Sequence, residues 1–212
     1  MRGRFITFEG GEGVGKSTQI ARLADWLRSH GREVAVTREP GGTPRAEQLR
    51  RMLLERGDEL MPASCELLLM FAARATHLDN LVRPALARGA WVLCDRFTDA
   101  TYAYQGGGHG VPFARIRELE RWVHEDCQPD VTFLFDVPTG VSRARLDSAE
   151  LAGRALDKFE REANAFFTRV RDAYLERAVA LPERFRIIDS TRPIEVVRAE
   201  LAAHLEALGL PA

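Results

Sequence analysis

The amino-acid sequence predicts a single α/β domain built on a parallel β-sheet. Short apolar runs rich in β-branched and aromatic residues recur along the chain, and each is followed by a helical pattern or a loop. The runs are nearly continuously apolar, which is typical of strands covered by helices on both faces. The chain has 212 residues, enough for one sizeable hydrophobic core.

Five runs predict the strands, at residues 4–9, 33–37, 90–95, 130–137 and 185–189. Amphipathic patterns predict the helices, which we expect near residues 15–30, 44–55, 63–88, 113–126, 138–148, 157–181 and 193–208. Two helical patterns meet between residues 146 and 160 through alanine and a glycine. We expect a mobile lid there, at about 146–158, within one domain that spans residues 1–212.

The composition excludes several classes of protein. With 30 Lys and Arg against 31 Asp and Glu, the chain has no bulk charge that favours nucleic acid or an anionic membrane. Its three cysteines are scattered without metal-ligand spacing, which indicates neither a disulfide framework nor a zinc site. No apolar run approaches the length of a membrane span. We therefore expect a cytoplasmic protein without nucleic-acid or membrane partners.

A glycine-rich turn follows the first predicted strand. Gly10, Gly15, Lys16 and Ser17 satisfy the pattern Gly-x-x-x-x-Gly-Lys-Ser, and the turn opens directly into a predicted helix. Backbone N–H groups and the helix N-terminus converge in such a turn on phosphate oxygens, while the lysine adds a charge and the hydroxyl a magnesium ligand. The whole turn is therefore predicted to bind a nucleoside triphosphate, through Gly10, Gly11, Glu12, Gly13, Val14, Gly15, Lys16, Ser17 and Thr18.

Polar residues at the carboxyl ends of the strands are the other candidates, because ligands of an open parallel sheet gather there. They are Glu9, Thr37, Arg38, Glu39, Asp95, Arg96, Asp136 and Asp189. The segment WVLCDRF places an arginine after Asp95, where a hydrolytic ATPase usually has a glutamate, and the arginine favours a second anion. No Asn-Lys-x-Asp or Asp-x-x-Gly signature of a GTPase follows a strand. The pattern thus favours a kinase for a small acceptor.

Further segments are ambiguous when each is taken alone. Arg38 in VTREPGGT precedes a turn, where an arginine is usually only solvated. Phe71 and Arg74 are three residues apart and share a helix face, but Phe71 could equally belong to the core with Arg74 extending to solvent. Thr101 and Gln105 in DRFTDATYAYQGGGHG can contact a base or cap a helix.

Together with the glycine-rich turn, these segments closely resemble the thymidylate kinase family, over essentially the whole chain. The strings EGGEGVGKST, TREPGGT, LLLMFAARATH, DRFTDATYAYQGGG and ALDKFERE occur in the family's order and at similar spacing. The resemblance implies the P-loop nucleoside monophosphate kinase fold with strand order 2-3-1-4-5, a homodimer, ATP as donor, and Mg²⁺. It implies dTMP as the acceptor, and dTDP as the product.

The resemblance also implies roles for single residues. Phe71 would stack on thymine, Arg74 would donate to its exocyclic oxygen, and Thr101 and Gln105 would face the base edge. Arg38 and Arg96 would bind the acceptor phosphate, and Glu12 would lie near the sugar 3′-hydroxyl. Asp95 would support Mg²⁺ beside Ser17, with Asp136 as its rival and Glu9 as a further partner. Apart from the resemblance, we expect a packed pocket beside Tyr102 or Tyr104 to exclude a ribose 2′-hydroxyl by its shape.

No general base is expected, because a phosphate monoester with a second pKa of about 6 is already largely ionised. Positive charge is needed instead, from Lys16, Arg38, Arg96 and a lid cation. The glycine-rich turn holds no basic residue before Lys16, and the resemblance implies that the lid supplies this charge in such a chain. We expect Arg154 first and Lys158 second in that role, followed by Arg143, Arg145 and Arg161.

The chain departs from the family's commoner pattern at Phe97, Ala100 and His109. These differences leave the reaction unchanged but bear on the acceptor contacts. Two alternatives stay open at this stage: a kinase of the same fold for dUMP, CMP or a small metabolite, and a non-catalytic or GTP-dependent switch.

Overall fold

The computed structural model describes residues 2–55, 59–151, 159 and 162–207. It confirms the parallel sheet and its strand order, β2-β3-β1-β4-β5. The strands are β1 (Phe5–Gly10), β2 (Val34–Arg38), β3 (Trp91–Asp95), β4 (Val131–Asp136) and β5 (Phe185–Asp189). All five lie within one residue or two of the predicted runs.

Helices cover both faces of the sheet. They are α1 (Lys16–Ser29), α2 (Pro44–Leu54), α3 (Ala63–His77), α4 (Arg83–Ala87), α5 (Thr98–Thr101), α6 (Phe113–His124), α7 (Thr139–Leu151), α8 (Asn164–Ala180) and α9 (Ile194–Glu206). In the central strand β1, Ile6 and Phe8 pack into one core cluster with α1 and α9, whereas Phe5 packs into another with α4. Burial on both faces explains the continuous apolar runs of β1, β3 and β4, whereas the edge strands β2 and β5 are partly exposed.

Two π-helical segments depart from the predicted pattern. The expected helix over 63–88 is α3 and α4 joined by a π-helix at Leu78–Val82, and a second π-helix at Tyr102–Gly108 was not predicted at all. Its three glycines explain the omission, since glycine favours turns in sequence-based analysis. In the fold they allow close packing: a Cβ on Gly107 would lie 2.6 Å from that of Ala173 on α8, and one on Gly108 would lie 2.4 Å from the Phe166 ring.

The predicted lid falls only partly within the described residues. Residues 146–151 continue α7, so this helix ends later than expected, and residues 152–158 lie outside the described part of the chain. The lid therefore stays a prediction. In the part of the chain that the structure describes, no helix is both long and apolar enough to cross a membrane.

Candidate active site

The glycine-rich turn joins β1 to α1. Gly10 has φ +128°, and a Cβ there would lie 2.3 Å from the carbonyl oxygen of Phe135 on β4, so only glycine fits. Gly13 and Gly15 also have positive φ, and Gly15 is the N-cap of α1. The turn thus delivers the N-terminus of a 14-residue helix, with its partial positive charge, to the carboxyl edge of the sheet.

Lys16 is buried at this helix start. Its Nζ donates to the carbonyl oxygen of Gly11 at 2.8 Å and to that of Gly10 at 3.4 Å. Burial lowers the pKa of Lys16, and the positive charge of Arg96 lowers it further. A cation held with so little solvation is well suited to binding phosphate oxygens.

Ser17 and Asp95 bring oxygen ligands together beside the turn. The Ser17 hydroxyl donates to Oδ2 of Asp95 at 3.4 Å, while Oδ1 of Asp95 is buried and has no hydrogen-bond partner among the described residues. A hydroxyl and a carboxylate suit Mg²⁺, which usually takes few protein ligands and completes its shell with phosphate and water. No cluster of three or more His, Cys, Asp or Glu side chains suited to a metal occurs in the described ranges. The pair fits Mg²⁺ shared with a nucleotide.

Arg96 is the first residue after β3, and its backbone is in the left-handed conformation, with φ 69°. This conformation, costly for a residue with a side chain, directs the guanidinium back over the glycine-rich turn. It donates to the carbonyl oxygen of Gly10 at 2.8 Å, to Glu12 Oε1 at 2.5 Å, and to the hydroxyls of Tyr104 and Tyr174, each at 3.1 Å. Arg96 therefore joins the turn, the carboxylate of Glu12 and two tyrosines in one network.

Glu9 lies too deep for the metal role suggested by the sequence. Its Oε1 accepts from the backbone N–H of Phe97 at 2.7 Å and its Oε2 from the Tyr174 hydroxyl at 2.8 Å, in a fully buried position. Burial, together with the charge of Asp99, raises its pKa to about 7. The rival Asp136 is held by both nitrogens of a fork from Arg171, at 2.7 and 2.8 Å. We therefore assign neither carboxylate to the metal.

The raised pKa of Glu9 predicts a pH-dependent stability. Because the folded pKa exceeds the ordinary 4.5, proton binding stabilises the fold fully below pH 4.5, and this contribution is lost as pH rises through 7. Glu9→Gln removes the titration. Between pH 5 and 8 the free energy of unfolding of the wild type should fall relative to this variant by up to about 3 kcal/mol. Urea denaturation at both pH values measures the difference, and a constant difference would contradict the assignment.

A cavity of about 480 Å³ runs from the glycine-rich turn towards α2 and α3. One end contains residues 12–18 and Asp95. The other contains side chains from several elements that converge there: Arg38, Glu39, Pro40, Arg50, Leu54, Met70, Ala100, Tyr104 and Gln105. A cavity of this volume is large enough to enclose the reacting ends of two ligands, and Arg96 is among its lining residues.

The base platform expected from the sequence does not line this cavity. Phe71 is 2% exposed and packs with Leu67, Tyr102 and Ile116, whereas Met70 is among the lining residues. Met70 lies four residues before Arg74 and Phe71 only three, so both share a helix face with that arginine. Spacing alone could not separate them, but packing against α6 buries the aromatic ring.

Arg74 is 1% exposed and held from two sides. Its Nε donates to Glu39 Oε2 at 2.7 Å and its Nη2 to Thr101 Oγ1 at 2.9 Å. The arginine lowers the pKa of Glu39 against the opposing effect of burial, and His77 reinforces it by a 2.8 Å contact with the other oxygen. The remaining nitrogen, Nη1, is buried and has no partner in the described part of the chain.

Gln105 lines the cavity, and Thr101 lies four residues earlier on the preceding turn. Nε2 of Gln105 donates to Glu66, and Oε1 is buried without a partner in the described ranges. Tyr104 lines the cavity and donates to Glu12 at 2.9 Å, whereas Tyr102 packs in the α3–α6 core and donates to Glu120. Of the two tyrosines proposed for sugar selection, Tyr104 is thus the one at the cavity.

Further cations lie along the cavity. Nη2 of Arg38 donates to both carboxylate oxygens of Glu47, each at 3.1 Å, and the Arg38 side chain is largely exposed. Arg50, which no sequence signal marked, donates to the carbonyl oxygen of Pro40. Arg145 on α7 donates to the carbonyl oxygens of Gly13 at 3.4 Å and Ser190 at 3.1 Å. Arg143 instead pairs with Asp147 along the helix.

The lid cations predicted first, Arg154 and Lys158, lie outside the described residues, as does Arg161.

Comparison with known proteins gives one consistent result. A sequence model described as thymidylate kinase matches residues 8–201. The thymidylate kinase of Chromohalobacter salexigens is 57% identical over 204 residues, covering 96% of this chain and 95% of the relative. That of Bordetella petrii is 58% identical over 207 residues, covering 98% and 97%. The crystal structure of thymidylate kinase from Ehrlichia chaffeensis matches with a TM-score of 0.77 and 33% identity, over 97% of this chain and 99% of that one.

Proposed function

The chain belongs to the thymidylate kinase family, and from this premise we propose how its cavity carries out the family's reaction, the ATP-dependent phosphorylation of dTMP to dTDP. The observation that carries the proposal is the continuity of the cavity, from the phosphate-binding turn to the pocket of Arg38, Met70 and Gln105. Direct transfer needs both nucleotides in one enclosure.

At the donor end, the backbone of residues 10–18 and the Lys16 ammonium bind the ATP phosphates. Ser17 and Asp95 hold Mg²⁺, which neutralises charge on the phosphate oxygens when bound. Arg145 supplies a positive charge beside residues 10–15 of the turn, none of which is basic. Arg154 and Lys158 stay predicted contributors from the lid.

At the acceptor end, Arg38 and Arg96 bind the dTMP phosphate, and Arg50 adds a third charge on the same wall. The attacking phosphate oxygen is already ionised, so these side chains position it and offset repulsion between two polyanions. The Arg96 fork is preorganised for this by Gly10 and Glu12, and needs no reorganisation during transfer.

Arg74 Nη1 and Gln105 Oε1, two buried atoms without a partner among the described residues, would suit the edge of thymine. Thymine offers the O4 acceptor to a donor and the N3–H donor to an acceptor, whereas cytosine offers a donor and an acceptor in the reverse order. A buried polar group facing a like group is left unsatisfied, at a cost of about 1–3 kcal/mol. We assign Met70 as the apolar contact of the base, with Phe71 packed behind it, and Thr101 as the residue that orients Arg74.

Glu12, held by Arg96 and Tyr104, accepts from the sugar 3′-hydroxyl in this proposal, and the Tyr104 ring closes the space that a 2′-hydroxyl would need.

We further propose a cytoplasmic homodimer. Family membership supports it, as do the exposed apolar side chains of Leu68 on α3, 58% exposed, and Trp122 on α6, 78% exposed.

Coupled ADP release with ATP and a panel of dTMP, dUMP, CMP and ribose TMP tests the function. We expect dTMP to give the highest kcat/KM, followed by dUMP, with CMP and ribose TMP far lower. A preference for CMP or for another acceptor would favour the alternative kinase, and ADP release that no acceptor stimulates would favour the switch.

Arg145→Ala is expected to lower kcat/KM for ATP by about 10- to 100-fold, because it removes a charge-assisted hydrogen bond from the donor end. Its matched control is Arg143→Ala, two residues away on α7 and paired with Asp147. Steady-state kinetics at saturating dTMP measures both. If Arg145→Ala stays normal while Arg154→Ala or Lys158→Ala loses activity, the donor-side charge comes from the lid alone.

A further inference from the structure

Glu66 is a buried carboxylate that the proposed reaction does not use directly. It lies in the first turn of α3 and is 3% exposed. Its Oε1 accepts from Gln105 Nε2 at 3.0 Å, and His109 Nε2 lies 3.5 Å from the same oxygen. Glu66 thus contacts the amide of a residue that lines the cavity.

The contact fixes which way the Gln105 amide faces. A carboxylate accepts hydrogen bonds, so Gln105 must present its NH₂ group to Glu66 and turn Oε1 away. That oxygen is the buried acceptor without a partner in the described part of the chain. A half-turn of the amide would exchange the two ends and present a donor in place of the acceptor.

The backbone around Gln105 is closely packed. Gln105 is fully buried, and a Cβ on the next residue, Gly106, would lie 2.4 Å from the Phe113 ring. The π-helix is thus closely packed against Phe113 of α6 and against Phe166 and Ala173 of α8. His109, which follows the π-helix, contacts the same oxygen of Glu66 as the Gln105 amide.

We propose that Glu66 is a specificity-determining positioning residue: by fixing the Gln105 amide, it makes the site accept pyrimidines with an N3–H donor and reject cytosine. The inference rests on the proposed acceptor site. Glu66 acts through Gln105 and touches no reacting atom. Thymine and uracil carry this donor, whereas cytosine N3 is an acceptor that would face Oε1.

Glu66→Gln tests this, because an amide at position 66 accommodates either orientation of Gln105. We expect the ratio of kcat/KM for dTMP to that for dCMP to fall at least tenfold, mainly through a rise for dCMP. Arg74 still disfavours cytosine, so some preference remains. A structural role would instead lower both values together. Glu118→Gln, an exposed glutamate on α6, is the control and should leave the ratio unchanged.

A double-mutant cycle shows whether the effect passes through Gln105. In a Gln105→Ala background, Glu66→Gln should no longer change the ratio. Glu66→Met, an apolar side chain suited to a buried position, is the second variant and should also lower the ratio. An unchanged ratio in either folded variant, an equal effect without Gln105, or failure of both variants to fold would overturn the proposal. Failure of the wild type to prefer dTMP would instead refute the proposed function.

Discussion

Lys16→Ala is expected to lower kcat by about 10³-fold, the largest effect of any substitution considered. The ammonium is buried against the carbonyl oxygens of Gly10 and Gly11, at the start of α1. In the proposed reaction it stabilises the charge that develops between donor and acceptor. Loss of a preorganised charge in such a site typically costs 10²–10³ in kcat. The effect should fall on kcat far more than on the KM for dTMP, because Lys16 serves the donor end.

Lys16→Arg provides the matched control for charge. Its planar fork does not fit the compact position between two carbonyl oxygens, so we expect it to stay at least 10²-fold slower than the wild type. Thermal denaturation should show both variants folded. Turnover near the wild-type level in Lys16→Ala would remove the phosphate-binding role of the turn.

Arg96→Lys is expected to lower kcat/KM for dTMP by about 10²- to 10³-fold. The guanidinium makes contacts with Gly10, Glu12, Tyr104 and Tyr174 that a single ammonium cannot reproduce. Without the fork, the 2.5 Å contact with Glu12 is lost, and so is the bidentate geometry that we propose for binding the acceptor phosphate. Binding of ATP in the absence of dTMP should change little.

The control is Arg171→Lys. Arg171 also makes a bidentate contact with a strand-end carboxylate, that of Asp136, but it does not line the catalytic cavity. Its kcat/KM for dTMP should stay within about twofold of the wild type, as for a partly exposed ion pair. Equal losses in the two variants would mean that Arg96 supports the fold and not the acceptor phosphate.

The sheet was predictable because parallel strands buried on both faces leave continuous apolar runs. The glycine-rich turn was predictable because a φ such as the +128° of Gly10 is open only to glycine. The π-helix at Tyr102–Gly108 was not, since its glycines are selected by close packing against α8, which is a tertiary effect.

The candidate site, like the fold, was predictable only in part. Strand ends correctly marked Asp95 and Arg96 as cavity residues, since topology brings those ends to one edge. Periodicity could not choose between Met70 and Phe71, because packing against α6 decides which of them faces the cavity. Glu9 looked like a metal ligand by position alone, and the partners of its two oxygens are Phe97, just before α5, and Tyr174 on α8, both far away in sequence.

The most direct test of the central claim, phosphoryl transfer between two nucleotides in one cavity, is the product balance with γ-labelled ATP and dTMP. We predict that label appears in dTDP in equal amount to the ADP formed, with little free phosphate, and that both products disappear together in Lys16→Ala. Label released as inorganic phosphate while dTMP stays unchanged would contradict the account, since it would make the chain a hydrolase.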